Sequence, residues 1–440
     1  MSYRRGIGFC NPITDLAQRR PPKPCFIQCH QVVSPGQPSG VSQEQPPATF
    51  PFLPFRILLK ADMSHDHFLV ADPKRADRSE PRSYHSTMKV RLANSKADAQ
   101  LWQQFVAGHA ECSNYHRWPW KQVIENSFGW PTFYLMAEQG DDIQGILPLA
   151  WQKSRLFGSF LTSLPFLNCG GVIADRRDPR DALIAEAIGL AKKLRVDYLE
   201  LRQRLDQRGD SQLEADSQLA LPAKTHKIAL VRPVEPNEEK MFAALPHKVR
   251  TDIRKAINSE LTAEFGAEEL LDDFYEVFAR NMRDLGTPVY SRKFFSVILR
   301  NFPGDNHICI VRHKGKPVAA SFLLGYREAL EAVWSASLYD YSSMKPNMFL
   351  YWKILCFAGE RGYQIFDFGR SSIGSGTHRF KKQWNTQEIP LHWVYWLPNN
   401  APLPEVNKEN ARYRLAISLW QRLPVAVTKL IGPSIVKCLP

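Results

Sequence analysis

From Met88 onward, apolar residues alternate between the two-residue period of strands and the three-to-four-residue period of helices, and the same order of patterns occurs twice. The first run reads as a strand at Lys89–Leu92, helices at Ala97–Gly108 and Trp120–Ser127, and a hairpin of Phe133–Glu138 with Ile143–Gln152 across Gly140-Asp141-Asp142. A helix at Ala182–Leu194 follows, then strands at Tyr198–Leu201 and Lys227–Val231, with a polar loop at 203–218. The second run begins near Pro233. It has helices at Glu238–Leu245, Lys248–Glu260, Leu270–Leu285 and Lys293–Asn301, and strands at His307–Arg312, Pro317–Tyr326 and Ala329–Ser335. A helix at Asn347–Arg361, a short buried strand at Ile365–Phe368, a short helix at His378–Trp384 and a strand at Leu391–Leu397 complete it. Such a plan excludes all-helical and all-β architectures. It predicts two mixed α/β units related by duplication, 88–232 and 233–400, followed by a helical tail at 401–440.

The segment before this plan is of another kind. Twelve of the 32 prolines fall within residues 1–87, among Gln-, Ser- and Gly-rich stretches without periodicity, so the leader is expected to be disordered. Met88 then reads as an alternative start, the rival reading being a genuine flexible tail. Over the whole chain, 57 Lys and Arg against 44 Asp and Glu leave a formal charge of +13. That excess favours an anionic partner: nucleic acid, a nucleotide-linked substrate or acidic lipid headgroups. No run approaches eighteen apolar residues, and no apolar stretch follows the basic start, so neither a spanning helix nor a secretory signal is expected. The eight cysteines are scattered without a C-x-x-C pair, which argues for a reducing, cytoplasmic setting with neither disulfides nor zinc. No metal is expected; His65-Asp66-His67 lies in the leader and is discounted.

One segment concentrates chemistry. Phe366-Asp367-Phe368-Gly369-Arg370-Ser371-Ser372 is followed by Gly374, Gly376-Thr377-His378-Arg379 and Phe380-Lys381-Lys382-Gln383-Trp384. A buried strand that ends in Gly-Arg-Ser-Ser presents side chains and backbone N–H groups at a sheet edge, and the later glycines permit a tight turn. Arg370, Arg379, Lys381 and Lys382 surround that turn with positive charge suited to a phosphate or a developing oxyanion. The alternative is a polar loop with a solvated charge run.

These motifs, together with Arg283-Asp284-Leu285-Gly286-Thr287-Pro288, Phe294-Phe295 and the basic helix around Lys248-Val249-Arg250 and Arg254-Lys255, resemble FemAB-type proteins over residues 88–400. More narrowly, they resemble the FemAB-like proteins associated with exosortase/PEP-CTERM and exopolysaccharide clusters. The resemblance implies tandem GNAT-like domains, each a mixed, mostly antiparallel sheet flanked by helices. It also implies N-acyl or aminoacyl transfer to an amine on a cell-envelope or exopolysaccharide precursor. No cofactor is expected to be tightly bound; the co-substrate is an activated acyl donor, aminoacyl-tRNA or acyl-CoA. The acceptor is a nucleotide-, lipid- or sugar-linked amine.

In that family a Phe-Lys-x-x-Phe-Gly segment supplies a lysine near the reacting carbonyl. Phe380, Lys381, Trp384 and Asn385 match it, Asn replacing Gly in a left-handed turn. This makes Lys381 the expected electrostatic group, against the alternative of a surface lysine. Asp367 is expected to accept the amine proton or hold the ammonium; the alternative is a carboxylate paired with Arg370 to brace the loop. Ser371, Ser372, Thr377, Arg370, Arg379, Arg283 and Tyr290 are the expected substrate-binding residues. Arg370-Ser-Ser-Ile-Gly374-Ser-Gly376 has one residue too many for the acetyl-CoA pyrophosphate cradle of GNAT enzymes, which leaves the donor open. Tyr115-His116-Arg117-Trp118-Pro119-Trp120 suits either a sugar or lipid headgroup or the packing of a helix start. The tail, with Arg412, Trp420, Arg422, Lys429 and Lys437 among apolar residues, suits either a membrane surface or packing on the second unit. A non-catalytic scaffold of the same fold is the competing reading.

Overall fold

The computed structural model describes residues 88–154, 157–204, 221–404 and 411–439. The proline-rich leader with His65-Asp66-His67, and most of the polar 203–218 segment, lie outside the described residues.

Among the described residues, thirteen strands form one sheet. They are β1 (Lys89–Leu92), β2 (Thr132–Gln139), β3 (Asp142–Ser154), β4 (Gly158–Thr162), β5 (Ile173–Ala174), β6 (Tyr198–Arg204), β7 (Ala223–Pro233), β8 (Leu261–Gly266), β9 (Asn306–His313), β10 (Lys316–Tyr326), β11 (Ala329–Ser337), β12 (Ile365–Ser372) and β13 (Gln387–Trp396). Their order is β1-β2-β3-β4-β6-β13-β7-β12-β11-β10-β9-β8, with β5 beside β3. Strand β13 therefore returns from late in the chain to lie between β6 and β7. The strands β4, β5 and β8 were not foreseen: they are short, and Leu261–Gly266 alternates too weakly to stand out from its helix-rich surroundings.

All neighbours pair antiparallel except two. Strand β4 runs parallel to β6 and their pairing ends at Thr162↔Glu200. Strand β11 runs parallel to β12 and theirs ends at Glu331↔Asp367. Beyond that last rung β11 continues to Ser337 and β12 to Ser372, so the strands part and leave a cleft.

The helices are α1 (Lys96–Gly108), α2 (Pro119–Phe128), α3 (Arg177–Leu194), α4 (Glu238–Ala243), α5 (His247–Ile257), α6 (Leu271–Asp284), α7 (Arg292–Asn301), α8 (Pro346–Glu360), α9 (Gly376–Lys382), α10 (Ala411–Arg422) and α11 (Val425–Val436). Helix α3 packs on β2 and β3, α6 on β10 and β11, and α8 on β9 and β10. Helices α3 and α6 bury one apolar face against the sheet, whereas α8 is apolar and buried on nearly every side. One core cluster joins Trp120, Phe128 and Trp130 to Phe274, Phe294, Phe295, Phe302 and Trp334, so aromatic packing fastens α2 to α6 and α7. Tyr115, His116 and Trp120 are buried in the process. The Trp102 indole donates to the His116 carbonyl at 2.6 Å, and Arg117 pairs with Asp305 at 2.8 Å. The Tyr115–Trp120 segment packs a helix start.

Among the described residues no helix is long and apolar enough to cross a membrane, and no cluster of His, Cys, Asp and Glu could hold a metal ion. The described cysteines Cys112, Cys169, Cys309, Cys356 and Cys438 are free thiols.

Candidate active site

The site grows from a bulge in β12. Phe366 and Phe368 alternate into the core beside Leu350 and Trp384. The register with β7 then slips, from Asp367↔Val231 to Arg370↔Ala229. The extra residue is taken up at Gly369, whose φ is +73°. Bulges of this kind re-aim side chains. Here the slip brings Asp367 and Arg370, three positions apart, onto the same face, which an unbroken strand forbids. Glycine is required at that point. A Cβ on Gly369 would stand 2.9 Å from the Ala332 carbonyl oxygen, and its backbone conformation is one that side chains rarely tolerate.

Register places Glu200, Arg202 and Arg204 of β6, Trp393 and Tyr395 of β13, and Glu331 of β11 on that face as well. Charged groups crowd together there. Arg202 Nε donates to Glu200 Oε1 at 2.6 Å, and the Tyr395 hydroxyl donates to Glu200 Oε2 at 2.7 Å. Arg204 Nη1 donates to Asp367 Oδ2 at 3.0 Å, while Asp367 Oδ1 accepts from the Gly369 amide at 2.7 Å. Asp367 thus clamps its own bulge, and its cationic partner is Arg204 rather than Arg370. Glu331 Oε1 accepts from the Asn168 side-chain amide. Burial first, and the neighbouring Asp367 charge second, raise the Glu331 carboxyl from the ordinary acid range to about 7.

Lys381 is delivered by α9. Ser375 caps that helix by accepting from the His378 amide at 3.1 Å. His378 is buried, accepts from the Gly374 amide at 2.9 Å and meets Glu388 at 3.1 Å. Phe380 and the fully buried Trp384 pack on Tyr351. Pinned this way, the helix sets Lys381 Nζ over the bulge, where it donates to the carbonyls of Gly369 at 3.1 Å and Arg370 at 3.0 Å. Two of the three ammonium donors are spent on backbone, leaving one for a ligand. Burial lowers this amine to about 8, against the raising pull of Asp367 and Glu331. It is not a surface lysine. Asn385, which follows the helix, has φ +58°, the left-handed turn expected for it.

Two cavities back onto this cluster. One is lined by Cys112, Ser113, Arg204, Arg327, Glu331 and Asp367. The other is lined by Phe166, Asn168, Tyr290, Trp334, Arg370 and Lys381. The Asn168–Glu331 hydrogen bond joins their walls.

Of the residues expected from sequence, Asp367, Lys381, Arg370 and Tyr290 come together at these cavities. The others line neither one. Ser371 is buried next to them, with an Oγ that has no hydrogen-bond partner. Ser372 accepts from Lys227 Nζ on the neighbouring strand. Thr377 is exposed and bonds Ser375, and exposed Arg379 donates to the Gly374 carbonyl. Arg283 pairs with Asp284 and donates to the Leu423 carbonyl, which fastens the tail. In the turn before α9, the amides of Ile373, Gly374 and Ser375 are engaged by protein acceptors.

Glu331, Asn168, Arg202 and Arg204 were missed by sequence reasoning. A signal was present: Leu199-Glu200-Leu201, Leu330-Glu331-Ala332 and Phe366-Asp367-Phe368 each set one acid between apolar neighbours in a strand. A lone acid in such a place is buried and therefore paired or functional.

Comparison with known proteins bears on the fold. Residues 247–382 match the family model described as an acetyltransferase (GNAT) domain. A search of the curated proteins gives no match. Among solved structures the chain is similar to FemX, at 14% identity and a TM-score of 0.54, covering 70% of this chain and 96% of that one. It is also similar to a tandem GNAT protein from the clavulanic acid biosynthesis pathway, at 12% identity and a TM-score of 0.46, covering 72% and 100%. A third similar structure is the C-terminal domain of a putative lysylphosphatidylglycerol synthetase from Agrobacterium fabrum, at 13% identity and a TM-score of 0.46, covering 68% and 91%. The fold is GNAT-like: a mixed, mostly antiparallel sheet with helices on its faces.

Proposed function

We propose that the protein is an N-acyltransferase whose reaction occurs where β11 and β12 part, with Glu331, Asp367 and Lys381 as its working groups. The observation that carries this reading is the juxtaposition of a carboxyl poised near neutrality with a buried amine that has one donor left, between two cavities. Acyl transfer to an amine needs three things: removal of the amine proton, alignment, and stabilisation of a tetrahedral oxyanion. Glu331 takes the proton as the new C–N bond forms. Asp367 holds the bulge and contributes negative charge that retains the incoming ammonium, which releases its first proton to solvent before the free amine attacks. The remaining Lys381 N–H faces the oxyanion, and Glu331 returns the proton to the departing oxygen or sulfur as the old acyl bond breaks. Arg370 and Tyr290 contact the substrate.

The donor in this reading is an activated acyl carrier, aminoacyl-tRNA or acyl-CoA, and the acceptor an amine on a cell-envelope or exopolysaccharide precursor. The excess of basic residues and the resemblance to FemAB-like proteins support that choice. Duplication is part of the reading too, with units 88–232 and 233–400 sharing one sheet. So is peripheral contact with the inner membrane face through the tail, supported by the exposure of Leu415, Leu419 and Leu430 beside Arg414, Arg422 and Lys437.

The test is direct. Purified wild type, Lys381→Met and Asp367→Asn are incubated with charged tRNA or acyl-CoA and an amine-bearing envelope precursor, and released tRNA or thiol is measured. Turnover by the wild type and its loss in both folded variants is the expected result. Full activity in both variants overturns the site.

A further inference from the structure

The charges around the bulge do not balance. Glu200 is committed to Arg202 and Tyr395, Asp367 to Arg204 and the Gly369 amide, and Glu331 accepts from Asn168 and interacts electrostatically with Lys381. Three acids face four cations, and the cation left over is Arg370. Its guanidinium has no ion-pair partner among the described residues. Its Nη1 is buried without any hydrogen-bond acceptor. Its ring contact is Trp393, whose centroid lies 5.2 Å from Cζ and which already carries Arg202 at 4.6 Å on the same indole. The Trp393 indole N–H is itself buried without an acceptor. Donors are in surplus here, and an unpaired charge in such surroundings is costly to keep.

The surplus opens onto a chamber of defined character. Arg370 lines the second cavity with Lys381, and the other walls include Phe166, Phe278, Tyr290 and Trp334. The Tyr290 ring stands edge-on to Phe166 and Trp334, at 5.1 and 6.3 Å. Aromatic walls with a few convergent polar groups, here Arg370 and Lys381, are the usual make-up of a small-molecule site. A guanidinium at its end suits the planar oxygens of a carboxylate or the oxygens of a phosphate.

We propose that this aromatic chamber is the binding site for an organic anion, a carboxylate or phosphate on an apolar body, whose charge rests on Arg370. The inference deepens the acyl-transfer reading and rests on it in one respect: the anion belongs to the substrate that approaches Lys381 from this side. That substrate is then an amphiphilic acid rather than a neutral sugar amine. The surplus cation is a cost to the empty protein that the ligand removes.

The experiment measures binding and stability without turnover. The full chain is titrated with phenylacetate, phenyl phosphate and the neutral phenylacetamide, following the melting temperature and the tryptophan emission to which Trp334 contributes. An anion-specific rise in melting temperature is expected from stabilisation by linkage, and the stronger of the two anions identifies the head group. The Arg370→Met variant is expected to melt no lower than the wild type when empty, because a buried unpaired charge has gone, and to show no preference for anion over amide. Arg370→Lys keeps the charge without the fork and is expected to retain the preference with about tenfold weaker affinity. Equal responses of the wild type to phenylacetate and phenylacetamide overturn the proposal, and so does an anion preference that survives in Arg370→Met. A protein that discriminates anions while transferring nothing supports this site and refutes the acyl-transfer reading. Transfer that persists in a wild type without anion preference does the reverse.

Discussion

Glu331 and Asp367 face each other across the last rung of the parallel β11–β12 pair, and the strands separate immediately beyond them. Of the two, only Asp367 has a cationic clamp among the described residues. Asp367 holds Arg204 and an amide, while Glu331 is pushed up to about 7. If Glu331 accepts the amine proton, transfer rises as pH climbs through about 7 and falls as Lys381 loses its proton near 8. The expected profile of kcat/KM is a narrow bell between these values. Glu331→Gln is expected to abolish the acid limb and reduce kcat by about 10²-fold or more. Steady-state rates from pH 5.5 to 9.5, in about half-unit steps across both limbs, check this. An unchanged acid limb in Glu331→Gln assigns the proton transfer elsewhere.

The same raised carboxyl has a consequence for stability, with a definite sign. A folded-state value above the unfolded one means that the native protein binds the proton more tightly. Its contribution is complete below the unfolded value of 4.5 and is lost as pH rises through about 7. Above that, holding Glu331 ionised costs on the order of 3 kcal/mol. Glu331→Gln, which keeps an acceptor for Asn168, is therefore expected to match the wild type at pH 5 and to melt higher at pH 8.5. Urea denaturation at the two pH values measures the difference. A variant destabilised equally at both gives Glu331 a packing role instead.

Much of this architecture was legible in the residues. The hairpin at Gly140-Asp141-Asp142 follows from its turn residues and β11 from its alternation of buried and half-buried positions, while β12, buried on both faces from Phe366 to Gly369, reads as a short apolar run. The pairing of distant segments was not legible. That Arg204, from the end of β6, meets Asp367 depends on β13 returning between β6 and β7, and nothing local in Gln387–Trp396 encodes that return. The bulge was not legible: a glycine at the end of a strand is compatible with one, but only the register with β7 shows that Gly369 brings Arg370 beside Asp367. Glu331 escaped notice because a single acid in an apolar strand acquires its meaning from the strand next to it.

The tail makes a separate prediction. Helix α11 docks on α6, and Gly286 fits against Ile417 of α10, yet Leu415, Leu419 and Leu430 stay exposed, Leu430 at 78%. Apolar side chains beside Arg414, Arg422 and Lys437 match an anionic lipid surface. Sedimentation with vesicles containing phosphatidylglycerol is expected to bring down the wild type and not the Leu415→Asp/Leu419→Asp/Leu430→Asp variant, with neutral vesicles binding neither. Equal sedimentation of the two proteins removes the tail as the contact.

Gly369 is the residue on which the whole site turns, and the one where a single methyl group decides most. At φ +73° an alanine is already strained, and its Cβ would lie 2.9 Å from the Ala332 carbonyl oxygen, a backbone atom that cannot swing aside. Gly369→Ala is expected to cost about 2 kcal/mol or more of stability. Relief by flattening the bulge would restore simple alternation and carry Arg370 off the face it shares with Asp367. Transfer should then fall much further than stability does, because the Gly369 and Arg370 carbonyls that hold Lys381 Nζ move with the bulge. Denaturant unfolding beside transfer assays separates the two effects. Wild-type turnover in a folded Gly369→Ala protein means that the bulge positions nothing the reaction needs.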